Sequence, residues 1–438
     1  MKAVRSQRVL TAEGLRPACV IIEAGRIAAL VDDAPGAVDY GDAVVMPGIV
    51  DTHVHVNEPG RTEWEGFRTA TESAAAGGIT ALVDMPLNSV PVTTTLKAFE
   101  QKRSAARGQC RVDVGFWGGV VPGNARELQP MAQAGVLGFK CFLIDSGIDE
   151  FGWVGERDLR AAMEELERIG APLLVHAEVA GPMPARPAGD PRAYATYLLS
   201  RPRAWENEAV SLAARLCRET GARTHIVHHS SSDALETLRA AKRDGVPLSA
   251  ETCPHYLHFA AEEIPDGRTE FKCAPPIRER ENREALWRAL GEGVLDMIAS
   301  DHSPCAPQLK KQESGRFDQA WGGVSGLQLA LPVAWTEASK RGFTLQHLAR
   351  WMCEAPARLA GLSRRKGALA PGQDADLCIW RPEERFHVDP AKLHHKHKLT
   401  PYAGRELQGV VVATVVRGEL VYDRGDFPGA PRGQELLK

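Results

Sequence analysis

Short apolar runs bounded by turn residues recur at 44–51, 79–84, 111–117, 136–143, 172–177, 222–228, 246–251 and 294–299. Runs of this length predict buried strands. Most of the intervals between them read as helices. In "ERDLRAAMEELERI", Leu159, Met163, Leu166 and Ile169 form one apolar stripe and the charges lie elsewhere, which is the amphipathic pattern. Eight alternations of strand and helix predict an α/β fold of the (β/α)8 TIM-barrel type over residues 47–366. A doubly wound α/β sheet is the alternative, because counting strands does not show closure. The flanks differ in texture. Residues 1–46 ("ACVIIEAGRIAALVD") and 367–438 ("DADLCIW", "GVVVATVVRGELVYDRG") read as short strands with glycine turns. Neither is long enough for a core of its own, so both termini are expected to combine in one small β-sandwich domain.

Composition narrows the partners. The chain has 438 residues, a formal charge of -3 and no basic block, which argues against nucleic acid or an anionic membrane surface and for a small-molecule substrate. Nine cysteines occur without a CxxC pair, as expected for free thiols in a reducing, cytoplasmic setting. No run of about 18 apolar residues suggests a membrane span, and "MKAVRSQRVLTAEG" lacks the apolar stretch of a secretory signal.

Barrel active sites gather at the C-terminal ends of the strands, and there the chemistry accumulates. "GIVDTHVHVNEPGR" puts His53 and His55 two residues apart on an extended segment, so both face one side. "LGFKCFL" carries Lys140, "LLVHAE" ends with His176, "THIVHHSS" offers His228 or His229, and "IASDHSP" brings Asp301. A lone strand-end histidine is ordinary structure, but several in register suit a zinc-like divalent ion. Alternation lets only one of the paired histidines face inward. His228 is preferred because it ends the apolar run, which leaves His225 and His229 as bystanders. Lys140 would be a costly buried cation beside metal ions. Desolvation would free its amine to add carbon dioxide and become an anionic carbamate. The "HHKHK" run, His394 to Lys398, is read as a solvated basic loop rather than a second metal site.

These residues resemble the amidohydrolase superfamily, its cyclic amidases and, most nearly, the allantoinase family. The resemblance rests on "VDTHVHVNEPGRTEWEGF", "DMPLNS", "GFKCFLIDSG", "ETCPHYL", "FKCAPPIRE", "SDHSPC", "DADLCIW" and "KLTPYAGRELQG" in order along nearly the whole chain. It implies two divalent ions, zinc first, with cobalt, manganese or iron also suited to the donors. His53, His55 and Asp301 would hold one ion and His176 and His228 the other, with N6-carboxylated Lys140 bridging them and a hydroxide between. Asp301 and Lys140 would be the catalytic residues, the reaction would open allantoin to allantoate, and the assembly would be a homotetramer. Dihydroorotases, which are similar, usually carry arginine where this chain has Asn57; an uncharged amide suits an uncharged ring, and Asn88 could add a second contact. Hydantoinases, also similar, place a tyrosine where this chain has Asp145, leaving Ser146 or the metal to support an oxyanion. Ala274 and Gly322 match stretches that touch the ring in that family. A non-catalytic relative that keeps the barrel for assembly is the remaining alternative, and the six retained ligands argue against it.

Overall fold

The computed structural model describes residues 1–180 and 189–438. The chain opens with β1 (Ala3–Thr11), β2 (Gly14–Glu23), β3 (Arg26–Val31), β4 (Val38–Asp39) and β5 (Val44–Pro47). Eight parallel strands follow: β6 (Ile49–Val54), β7 (Ile79–Asp84), β8 (Asp113–Gly119), β9 (Gly138–Phe142), β10 (Leu173–His176), β11 (Thr224–Ile226), β12 (Leu248–Thr252) and β13 (Met297–Ile298). The last strands are β14 (Leu377–His387), β15 (Glu406–Val416), β16 (Glu419–Asp423) and β17 (Glu435–Leu436). β6 to β13 pair in chain order. The ends of that sheet meet just beyond β13, where Val54 bridges His302 and the His55 amide donates to the His302 carbonyl at 2.8 Å. That seam closes the barrel and removes the doubly wound alternative.

The apolar run at 44–51 proves to be two strands. Val44–Pro47 belongs to the terminal sheet and Ile49–Val54 to the barrel. The chain crosses between them at Gly48, where a Cβ would collide with the Thr80 side chain, so the absence of a side chain permits the passage. The helix Glu156–Ile169 forms as its stripe predicts: Leu159, Met163 and Leu166 are buried, and Gly170 ends it at φ 65°.

Both termini share one sheet, ordered β16-β15-β14-β5-β1-β2-β3 with β4 on β1. Its two faces are both covered. Val45, Leu377 and Ile379 join Val4, Val9 and Val20 in a separate small core. Val44, Met46, Cys378 and Trp380 lie in the large core shared with the barrel. Double-sided burial explains the unbroken apolar runs, where a half-exposed sheet would alternate. The chain's end leaves this sheet: β17 pairs in parallel with barrel strand β8. The nine cysteines are buried and free. Among the described residues no helix is long and apolar enough to cross a membrane.

Candidate metal centre

The barrel's C-terminal rim brings the six expected ligands together. His53 lies on β6 and His55 just after it; Lys140 is on β9 and His176 ends β10, whereas His228 and Asp301 follow β11 and β13. All six are buried. His53 Nε2 lies 3.2 Å from Asp301 Oδ1, and His55 Nε2 lies 3.5 Å from the same oxygen. On the other side, His176 Nδ1 and His228 Nε2 are 2.9 Å apart. Donors bound to one tetrahedral ion at zinc-like bond lengths sit about 3.3 Å from each other. The His53, His55 and Asp301 donors match that spacing, His176 and His228 sit closer, at hydrogen-bond distance, and the nitrogen and oxygen donors of both suit a divalent cation.

The backbone is bent to achieve this. His228 at φ 38° and Asp301 at φ 45° occupy the left-handed region, as do Asn57 and Asn88, each at φ 66°. Such conformations cost on the order of 1 kcal/mol or more and gather at functional sites.

Burial, the dominant influence, pushes the Lys140 ammonium down to about 8 against the pull of Asp301 and Glu251. Its Nζ lies 3.2 Å from His53 Nε2 and 5.1 Å from the centre of the Phe142 ring. The lysine thus points into the cluster, not out to solvent. Burial also lowers all four imidazoles, His53 and His228 most strongly, so they stand neutral with lone pairs available. For Asp301, burial works upward, but the bond to His55 and nearby positive charge carry it below its usual range. It remains a carboxylate.

Two buried acids, which strand-end reasoning missed, orient two of these imidazoles. Glu251 Oε1 accepts from His53 Nδ1 at 2.5 Å, while Oε2 lies 3.1 Å from His225 Nε2. His225 is therefore no bystander, because it steadies the acid that aims His53. Glu178 accepts from His176 Nε2 at 2.8 Å and pairs with Arg201. Both had a signal: Glu178 follows His176 at i+2, on the same side of an extended chain, and Glu251 stands at the end of an apolar run. His229 turns away toward Glu206, 3.4 Å from Oε1.

A cavity of about 780 Å³ opens over the cluster. Asn88, Ser146, Ala274 and Gly322 line it, as does Asp145. Asn88 Nδ2 sits 3.4 Å from His55 Nδ1. The Ser146 hydroxyl donates to the Phe151 carbonyl at 2.6 Å, so its proton is already engaged. Asn57 lies behind the cavity wall, fully buried, with Nδ2 donating to the Pro304 carbonyl at 3.1 Å. The "HHKHK" run is not the solvated loop expected from its charge. His395 is buried beside His302, Lys396 Nζ donates to the Thr62 carbonyl at 2.6 Å, and His397 Nε2 donates to the Glu63 carbonyl at 2.7 Å. The run straps down the loop that follows the HxH pair.

The amidohydrolase family profile matches residues 44–421. The allantoinase of Streptomyces avermitilis is 50% identical over 442 residues, covering 99% of this chain and 98% of its own. A probable allantoinase of Oryza sativa subsp. japonica is 47% identical, over 99% of this chain and 90% of its own. Among solved structures, L-hydantoinase (dihydropyrimidinase) from Arthrobacter aurescens aligns over 100% of both chains with a TM-score of 0.94 and 32% identity.

Proposed function

The chain belongs to the amidohydrolase family, and from that premise we propose that it opens the hydantoin ring of allantoin to give allantoate at a pair of divalent cations. The observation that carries the reading is the convergence of His53, His55, Lys140, His176, His228 and Asp301 beneath one cavity. It is supported by the allantoinase relatives that match nearly end to end.

His53, His55 and Asp301 would hold one ion and His176 and His228 the other, with zinc the first choice for the donor set. When bound, the cations lower the pKa of water and polarise a carbonyl, which supplies a nucleophile at neutral pH. Lys140, once carboxylated, would be the ligand shared by both ions. Its neutral amine adds carbon dioxide and releases a proton, leaving a carbamate whose negative charge offsets the cations where an ammonium would repel them. Asp301 moves the proton. Its ionised oxygen, set between the two HxH imidazoles, accepts a proton from the attacking water and delivers it to the ring nitrogen as the C–N bond breaks. Asn88 faces the cavity with an amide able to donate to a ring carbonyl or accept from a ring N–H. Ala274 and Gly322 line the same cavity.

The test is turnover of allantoin, hydantoin, dihydrouracil and dihydroorotate by zinc-loaded protein, each followed by its ring-opened product. The expected outcome is allantoate formation with the highest kcat/KM of the four. A preference for dihydroorotate would overturn the substrate assignment.

A further inference from the structure

The two halves of the metal centre are supported by different buried acids, and the arginine that clamps one of them lines the substrate cavity. Glu178 is fully buried, and its Oε2 lies 2.8 Å from His176 Nε2. The same oxygen receives Arg201 Nη2 at 2.5 Å, and Oε1 receives Arg201 Nε at 3.0 Å. This is a bidentate fork, the geometry that holds a carboxylate most rigidly. A carboxylate beside Nε2 requires the proton on that nitrogen, so the lone pair of His176 lies on Nδ1. Nδ1 is the atom that faces His228 Nε2. Arg201 also lines the cavity beside Tyr197 and Trp205. No direct bond joins Glu178 to His53, His55 or Asp301; His53 is oriented by Glu251 instead.

We propose that Glu178, clamped by Arg201, is a positioning residue that fixes His176 with Nδ1 as donor and sets the affinity of the His176–His228 half of the centre alone. This rests on the ligand assignment above. Its consequence is selective: disturbing Glu178 weakens the binding of one ion and leaves that of the other unchanged.

The experiment measures metal per chain and ion affinity by chelator competition, for wild type, H176A, E178Q and the double variant E178M/R201M. The double variant removes both charges together, so that no buried ion is left unpaired. Thermal melts show that each variant is folded. Wild type is expected to hold two ions and H176A one. E178M/R201M should bind the second ion about 10- to 100-fold more weakly, as is common when a ligand's outer partner is lost. E178Q, whose amide oxygen still accepts from the ring N–H, should fall between them. The first ion should bind with unchanged affinity throughout. Wild-type affinity for both ions in folded E178Q and E178M/R201M, with one ion lost in H176A, would overturn the proposal. Two ions retained by H176A would instead overturn the ligand assignment, so the two failures are told apart.

Discussion

Asn57 and Asn88 share a backbone angle, φ 66°, yet the structure gives them separate tasks. Asn88 faces the cavity, while Asn57 ties its loop to the Pro304 carbonyl. Glycine is the informative substitution at both, because it accepts a positive φ without strain and removes only the amide. Asn88→Gly is expected to raise the KM for allantoin roughly 10-fold, the equivalent of one lost hydrogen bond, with little change in Tm. Asn57→Gly should do the reverse, lowering stability by about 1 kcal/mol while KM stays close to wild type. Steady-state kinetics and thermal melts on both variants check the contrast; equal effects on KM would show that the cavity wall is drawn wrongly. The convergence of His53, His55, Lys140, His176, His228 and Asp301 was legible in the sequence because strand-end position and i, i+2 spacing fix where a side chain points. The asparagines were not. Turn chemistry and ring recognition call for the same residue at the same backbone angle, and only the Pro304 contact separates them.

At the scale of elements, one cavity wall is held by two lysines that no periodicity marks. Lys272 Nζ donates to the Phe317 and Ala320 carbonyls at 2.5 and 2.6 Å. Lys310, which is buried, donates to the Trp321 carbonyl at 3.0 Å and to that of Gly323. The segment between carries Gly322 into the cavity wall, and Gly323, at φ 129°, passes so close to the Ser303 carbonyl that a Cβ would collide with it. Lys310→Met should therefore leave two carbonyls without their donor and let this wall shift. A several-fold rise in KM is expected from roughly 1 kcal/mol of lost positioning, with both metal ions retained. Kinetics paired with metal analysis decide it: unchanged KM would mean that the segment is held in place without Lys310. "FKCAPPIRE" and "CAPQLKK" lie outside the strands and long helices, the second holding only the short 3-10 turn Pro307–Lys310. Their lysines act through carbonyls distant along the chain, and hydrophobic periodicity carries no record of such bonds. The barrel strands were readable for the opposite reason, since burial on both faces writes a continuous apolar run. β13 is nonetheless only Met297–Ile298 within the run at 294–299, because apolar character marks burial and not the extent of hydrogen-bonded pairing.

For the whole molecule, the decisive contacts are those by which the termini return to the barrel. Lys366 Nζ bonds Asp113 of the barrel at 2.7 Å and Asp376 beside the terminal sheet at 2.5 Å. The "HHKHK" strap seals the opposite rim, and there burial has a titratable consequence. His395 is fully buried beside His302, with neither ring nitrogen hydrogen-bonded. Burial first, and His302 second, push it from 6.5 down to about 3. In the folded chain it therefore stays neutral over a range in which the unfolded chain takes up a proton. Stability from this site is complete above pH 6.5 and falls as pH drops toward 3, by about 1.4 kcal/mol per pH unit for one proton. Between pH 6.5 and 5 the expected loss is about 2 kcal/mol. Glu65, the neighbouring acid, has its ordinary value at 4.5 and a lowered one in the fold, so it contributes little slope in that interval. His395→Phe keeps a ring of similar size in the same place and removes the proton. Denaturant unfolding at pH 7, 6 and 5 should give the phenylalanine variant a shallower loss of stability than wild type by that amount. Parallel losses would mean that His395 takes up its proton without opening the strap, and the packing of the C-terminal run would then have no part in the acid sensitivity of the fold.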